Sequence, residues 1–249
     1  MPPLPPPLPP ESRTVGQLVA ETIRLYGRRF WAALPLGLSV AVLNQLRDLD
    51  PRWLVLVALV GAVALTTSYV GATAIAADVR LTRRSVATAL AAGFVAFLPL
   101  ALLLGTFNLL GVAWVAFIGL SVPVALIELA GLRPALRRGM RLARVDYVHA
   151  LGSLAALAIV YFLTSVMLGV LLRSQGDQTE RIALFLADLV LAPLLFLGAA
   201  LLYYDQAARL DSAGPQRRSD ADLHPAVDPD RPGRPDPEIE SRAATRGEP

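Results

Sequence analysis

The 249-residue sequence contains no cysteine. This excludes disulfides, thiolate nucleophiles and cysteine metal sites, and leaves the redox compartment unreadable. It contains no lysine either: all 23 basic residues are arginine, a bias that fits the GC-rich codons of a bacterial source. Histidine occurs only as His149 and His224, too sparse for a histidine metal cluster. Charged residues make up 17% of the chain, against about 25% in an ordinary soluble domain. No nucleophile, base and orienting group can be seen together. No catalytic residue, no metal site and no cofactor are therefore expected, and the chain reads as a non-enzyme.

What is present is apolar: 55% of residues are hydrophobic and the mean hydropathy is +0.53. Six apolar runs of near-spanning length occupy roughly Phe30 to Leu46, Trp53 to Ala77, Ala87 to Leu104, Val112 to Ala130, Ala150 to Leu172 and Ile182 to Tyr204. A hydrocarbon core about 30 Å thick needs about 20 helical residues. The runs lack the alternation of barrel strands, which leaves helices as the spanning form. The expected fold class is all-α: a polytopic integral membrane helical bundle of about six transmembrane helices with amphipathic interfacial helices. Pro35, Pro99, Pro123 and Pro193 fall inside spans and are expected to kink them.

The connections carry structure of their own. "TVGQLVAETIRLYGRRF" begins on a capping threonine and sets Val15, Leu18, Val19, Ile23 and Tyr26 on one face. "GLRPALRRGMRLARVDYVHA" sets Leu132, Leu136, Met140, Ala143 and Tyr147 beside Arg133, Arg137, Arg138, Arg141 and Arg144, with Pro134 in the first turn. "TRRSVATALAAG" reads as a third amphipathic segment. Together they outline a threefold repeat over 14–78, 83–130 and 132–205 within a membrane domain spanning 13–210. The ends differ from this domain. "MPPLPPPLPP" lacks the positive segment of a signal peptide, so residues 1–12 read as an uncleaved, proline-rich cytoplasmic tail. Its PxxP spacings would form an extended helix that a protein partner of unknown kind could take. Residues 211–249 are proline-rich, mixed in charge and poor in large apolar groups, and are expected to be disordered.

Arginines near span ends set orientation. Arg13, Arg24, Arg28, Arg29, Arg80, Arg83, Arg84 and the five between 133 and 144 fall on one side, against Arg47, Arg52, Arg173 and Arg181 on the other. The expectation is a multi-pass protein of the inner, cytoplasmic membrane with both termini cytoplasmic.

Two carboxylates within spans are the candidates for an intramembrane polar site, because burying such a group costs several kcal/mol unless it is paired or hydrated. Glu128 either pairs with Arg133 or Arg137 or forms a proton or cation site at the inner mouth. Asp188 either has a structural partner, Arg181 being two turns away, or is a ligand site. About 15 Å of depth separates the two, so no direct pair is expected. Asp78 and Asp205, at span ends, read as ordinary water-exposed groups, and His149 as interfacial. Trp31, Trp53, Tyr69, Tyr147, Tyr203 and Tyr204 read as an interface belt. Small residues at Thr67, Gly71 and Ala74, and at Gly152 and Ala156, offer close helix approach.

The stretches "IRLYGRRFW", "PVALIELAGLRPALRRGMRLARVDYVHALGS" and "FLGAALLYYDQAAR" resemble the bacterial membrane-domain family named after the membrane part of glycerophosphodiester phosphodiesterase. The matching positions are Pro123, Glu128, Gly131, Ala135, Arg138, Leu142, Tyr204 and Asp205, and the likeness spans roughly Thr14 to Arg209. The sequence departs from the family after Asp205, where "QAAR" replaces a more basic pattern. The resemblance implies a stand-alone membrane part without the metal-binding carboxylates and paired histidines of the phosphodiesterase domain. The five arginines from Arg133 to Arg144 then read as a lipid-surface stripe that docks on anionic head groups. Nucleic acid is not an expected partner, because the apolar face opposes projection into solution. The function expected is a scaffold or accessory factor; the alternative is a transporter or lipid-handling protein using Glu128 and Asp188.

Overall fold

The computed structural model describes residues 9–46, 51–79, 81–103, 108–172 and 176–223. Two units divide the chain, 1–210 and 211–249. Of the second unit, residues 211–223 are helical, so helix occupies the first part of a segment expected to be disordered. The eight N-terminal residues, the rest of the C-terminal segment, and Arg47, Arg80 and Arg173 lie outside the described residues.

The first unit is an all-α bundle, with no strand among the described residues. It opens with α1 (Val15–Arg28), whose start is a capping box. Thr14 Oγ1 accepts from the Gln17 backbone N–H at 3.4 Å, and Gln17 Oε1 accepts from the Thr14 backbone N–H at 2.8 Å. Its buried face is narrower than the sequence predicts. Leu18, Thr22 and Tyr26 are inside, one per turn, whereas Ile23 is 55% exposed. The buried Thr22 hydroxyl returns to the Leu18 carbonyl at 2.8 Å, which makes a polar side chain tolerable there.

The first expected span is broken. α2 (Phe30–Ala33) passes into a 3₁₀ turn at Leu34–Gly37 and then α3 (Leu38–Gln45). Pro35 accounts for the break, since it cannot donate to the helix ladder. At about 1.5 Å per residue Phe30–Gln45 reaches about 24 Å, short of a core of about 30 Å. Five helical segments are long and apolar enough to cross a membrane: Leu54–Ala77, Arg83–Leu102, Leu110–Ile127, Tyr147–Leu172 and Gln178–Ser212. They belong to α4 (Leu54–Ala77), α5 (Arg83–Leu103), α6 (Asn108–Ile118) with α7 (Ser121–Ile127), α9 (Tyr147–Leu172) and α10 (Asp177–Leu223). The architecture is that of a multi-pass membrane protein. Its outer face agrees: Val55, Phe162, Met167 and Leu171 are all more than half exposed, a surface that water would not tolerate but lipid matches. "TRRSVATALAAG" forms the cap and first turns of α5 rather than a separate helix, with Thr82 and Ser85 bonding each other's backbone N–H at 3.2 Å.

Glycine sets the closest contacts. A Cβ on Gly37 would run into the backbone of Leu189, whose carbonyl Pro193 cannot bond. One residue on, the Tyr26 hydroxyl donates to Val190 O at 2.8 Å, and burial pushes that hydroxyl above its ordinary pKa, keeping the proton it donates. Gly198 faces Leu157, and Gly93 faces Thr66. The predicted Gly152 contact is an ordinary one, 3.8 Å from Val15. The core between α4, α5 and α10 is aromatic: Tyr69 meets Phe97 and Phe97 meets Phe196, edge to face. Tyr69 is therefore core, 1% exposed with its hydroxyl on Ala199 O at 3.2 Å, and not an interface anchor; Trp31, 81% exposed, and Trp53 keep that place.

Helix α8 (Leu132–Val145) runs back along α7 and the end of α6. Gly139 lies against Ser121, Arg144 stands over the Phe117 ring at 5.4 Å, and the Tyr147 hydroxyl reaches Ala113 O at 3.0 Å. A Cβ on Gly139 would sit 2.6 Å from the Ser121 nitrogen. The packed face is thus Ala135, Gly139, Leu142 and Ala143, rotated from the predicted Leu132, Leu136 and Met140. Small side chains let the backbones approach, and the larger apolar residues flank the contact instead.

Candidate functional site

Three polar features stand out from this apolar frame. The first is at the end of the bundle where α1, α8, the start of α9 and the inner half of α10 meet. Asp146, between α8 and α9, accepts from the His149 backbone N–H at 3.0 Å and so caps α9. Its other oxygen takes Arg209 Nη1 at 2.7 Å, and its carbonyl accepts from Gln206 Nε2 at 3.1 Å. Arg209 Nη2 also donates to Arg13 O at 2.8 Å, and Arg13 Nη1 in turn meets Asp205 Oδ1 at 2.8 Å. The remaining oxygen of Asp205 faces His149 Nε2 at 3.8 Å.

Asp205 is fully buried, which corrects its reading as a water-exposed span-end group. The cause is the chain on either side of it: the segment before α1 returns over α10 and covers the carboxylate with an arginine. Asp78, by contrast, is exposed as expected, with a 3.5 Å contact to Arg29. The knot ties the N-terminal arm, the α8–α9 junction and α10 into one unit. Each carboxylate of the knot meets a guanidinium, Asp205 that of Arg13 and Asp146 that of Arg209, which is the counter-charge a buried carboxylate requires.

The second feature places Glu128. Arg138 Nε donates to Glu128 Oε1 at 3.4 Å and the Tyr203 hydroxyl donates to the same oxygen at 2.9 Å. The partner is Arg138 rather than Arg133 or Arg137, because those two lie on the exposed flank of α8 while Arg138 turns toward the end of α7. Arg138 is half-buried and so leaves the expected stripe; Arg133, Arg137, Arg141 and Arg144 are exposed on the flank opposite the packed one. Tyr203 is buried against Glu128 and, like Tyr69, is not an interface anchor.

The third feature holds Asp188, which is 2% exposed near the opposite end of the bundle. The Tyr161 hydroxyl donates to Oδ1 at 2.6 Å and Asn44 Nδ2 to Oδ2 at 2.8 Å; Asn44 also donates to the Tyr161 oxygen at 3.1 Å. Three elements, α3, α9 and α10, thus converge on one carboxylate through neutral donors. Asp188 and Glu128 belong to separate networks, as their depths predict. Asp188 borders a cavity of about 800 Å³, within the size range of ligand pockets, about 300–1,000 Å³. One end carries Asn44, Gln45, Tyr161, Ser165, Arg181 and Asp188; the rest is apolar, including Leu65, Phe97, Leu100, Leu195 and Phe196. Ile159, Phe162 and Val166 both line the cavity and are 46–60% exposed on the outer face of α9. The cavity is therefore reached sideways, from where lipid would lie.

Asn44 and Tyr161 were not singled out from the sequence. The signal available was modest: an asparagine near the end of one apolar run and a tyrosine in the middle of another. No group of three or more His, Asp or Glu side chains able to hold a metal ion occurs among the described residues. Comparison with protein-family models, curated proteins and solved structures returns no match, so the chemistry rests on these residues alone.

Proposed function

We propose that this chain is a lipid-handling integral membrane protein of the bacterial inner membrane, non-enzymatic, with both termini cytoplasmic, the broken stretch Phe30–Gln45 making a sixth crossing from the end where Arg13 meets Asp205 to the end where Asn44 meets Asp188. The observation that carries the reading is the cavity of about 800 Å³ with a single carboxylate at its polar end and an opening past α9. Of the two carboxylates that the alternative reading named, Asp188 fits this role and Glu128 does not, since Glu128 is not among the cavity's lining residues and has the Arg138 guanidinium against it. The arginine bias between span ends supports the orientation, with the α8 end cytoplasmic. Several of the positions quoted for the likeness to the membrane part of glycerophosphodiester phosphodiesterases are engaged in contacts. Glu128 bonds Arg138, Ala135 and Leu142 are buried in the α8 contact, and Asp205 anchors the knot.

The test is lipid retention. Native mass spectrometry of the protein purified in mild detergent is expected to record one bound lipid per chain, lost on Ala158→Phe, which fills the cavity from α9. Equal retention by both proteins overturns the reading.

A second reading, the scaffold that docks on anionic lipid, is favoured by the row of exposed arginines on α8. Each would contribute about 1 kcal/mol against an anionic surface. Replacing Arg133, Arg137, Arg141 and Arg144 by glutamine is expected to leave folding unchanged and to make a spin label on α8 more water-accessible in phosphatidylglycerol nanodiscs. Unchanged accessibility contradicts docking.

A further inference from the structure

We propose that the cavity selects an amphiphile with a single long chain and an ammonium head, the head seated on Asp188 and the chain running toward the middle of the bundle. This rests on the cavity being a ligand site and specifies the ligand's chemistry. The polarity of the lining fixes the orientation. The polar lining residues lie at the end of α3, in the half of α9 remote from α8 and in the first part of α10, while Leu65, Phe97 and Phe196 line the deeper part. A chain fits the deep part and a head group the other.

The head group follows from the carboxylate. An ionised carboxylate has about four acceptor sites. Tyr161 and Asn44 each occupy one, on different oxygens, at 2.6 and 2.8 Å. Both donors are neutral, so they fix the carboxylate's position and supply no counter-charge, and Asp188 borders the cavity. An ammonium supplies three donors and the opposite charge. A hydroxyl supplies one donor and no charge, and a carboxylate or phosphate head would bring a second negative charge beside the first. The Tyr161–Asn44 contact, 3.1 Å, braces the two donors against each other, so the acceptor geometry exists before any ligand arrives.

Entry is lateral. Ile159, Phe162 and Val166 form the wall between cavity and outer surface. Phe162 and Val166 lie on the half of α9 remote from α8 and Ile159 at its midpoint, so the ligand comes from the leaflet at that end.

The test uses the full chain in a mild detergent and three probes of equal chain length, dodecylamine, dodecanol and dodecanoate, measured by equilibrium dialysis. The wild type is expected to bind dodecylamine at least about tenfold more tightly than dodecanol, with dodecanoate weakest. Asp188→Asn is expected to abolish the preference while leaving dodecanol binding intact, which also reports that the variant is folded. If wild type binds amine and alcohol equally, and Ala158→Phe removes both, the ammonium assignment is wrong and the ligand cavity stands. If no probe binds, or Ala158→Phe changes nothing, the cavity is not a ligand site and both readings fall. An amine preference that survives in Asp188→Asn overturns the role given to that carboxylate.

Discussion

Asp205 and Asp188 are both buried carboxylates on α10, yet their surroundings are opposite. Asp205 is 0% exposed and lies against a guanidinium, with Arg13 at 2.8 Å and His149 at 3.8 Å, in a knot that joins parts of the chain 192 residues apart. Asp188 is 2% exposed, is held by a phenol and an amide, and looks into a cavity. The first arrangement supplies its own counter-charge. The second has only neutral partners and borders a cavity. The contrast teaches that burial of a charge inside a membrane bundle is not by itself a sign of function; what matters is whether the protein supplies the counter-charge or leaves it to a ligand.

Breaking the closed site should have the largest effect. Asp205→Ala leaves Arg13 buried beside Arg209 with no carboxylate between them, a loss of about 3–5 kcal/mol. Unfolding in a detergent titration should read this as a large fall in midpoint, and an unchanged midpoint would show that the knot is not structural. Next comes the α7–α8 contact that supports the knot from one side. Gly139→Ala drives a Cβ to 2.6 Å from the Ser121 nitrogen, an overpacking cost of about 1–3 kcal/mol. Gly152→Ala, 3.8 Å from Val15, should stay within about 0.5 kcal/mol of wild type in the same titration. A small effect is expected at the open site. In Asp188→Asn the Tyr161 hydroxyl still finds an oxygen, and Asn44 can reverse its amide to accept from the new one at the loss of its bond to the Tyr161 oxygen, so the cost is about 1 kcal/mol. If Asp188→Asn destabilises as much as Asp205→Ala, the two sites are alike and the distinction drawn between them fails.

The spans were legible because uninterrupted apolar runs have few alternatives at this length, and five of the six expected segments are long, apolar helices. The break near Pro35 was legible as a kink, though not as a 3₁₀ turn, because the close approach of Gly37 to Leu189 that accommodates it is a tertiary fact. Asp188 was recognised from its depth alone. Its partners were not, since Asn44 lies 144 residues away and nothing local marks it. Asp205 was misread for the same reason: a carboxylate at a span end is exposed unless a remote segment covers it, and the covering residue, Arg13, precedes the first helix. The face of α8 was misjudged except at Ala143, because periodicity weights large apolar residues, whereas packing against α7 selects small ones, Ala135 and Gly139 beside Ala143.

The central claim is that Asp188 is an open acceptor for a cationic head group, and ligand-linked stability tests it most directly. Thermal unfolding of the wild type and of Asp188→Asn in the same detergent, with and without saturating dodecylamine, should give a raised midpoint for the wild type and none for the variant. An equal rise in both, or none in either, would contradict the account.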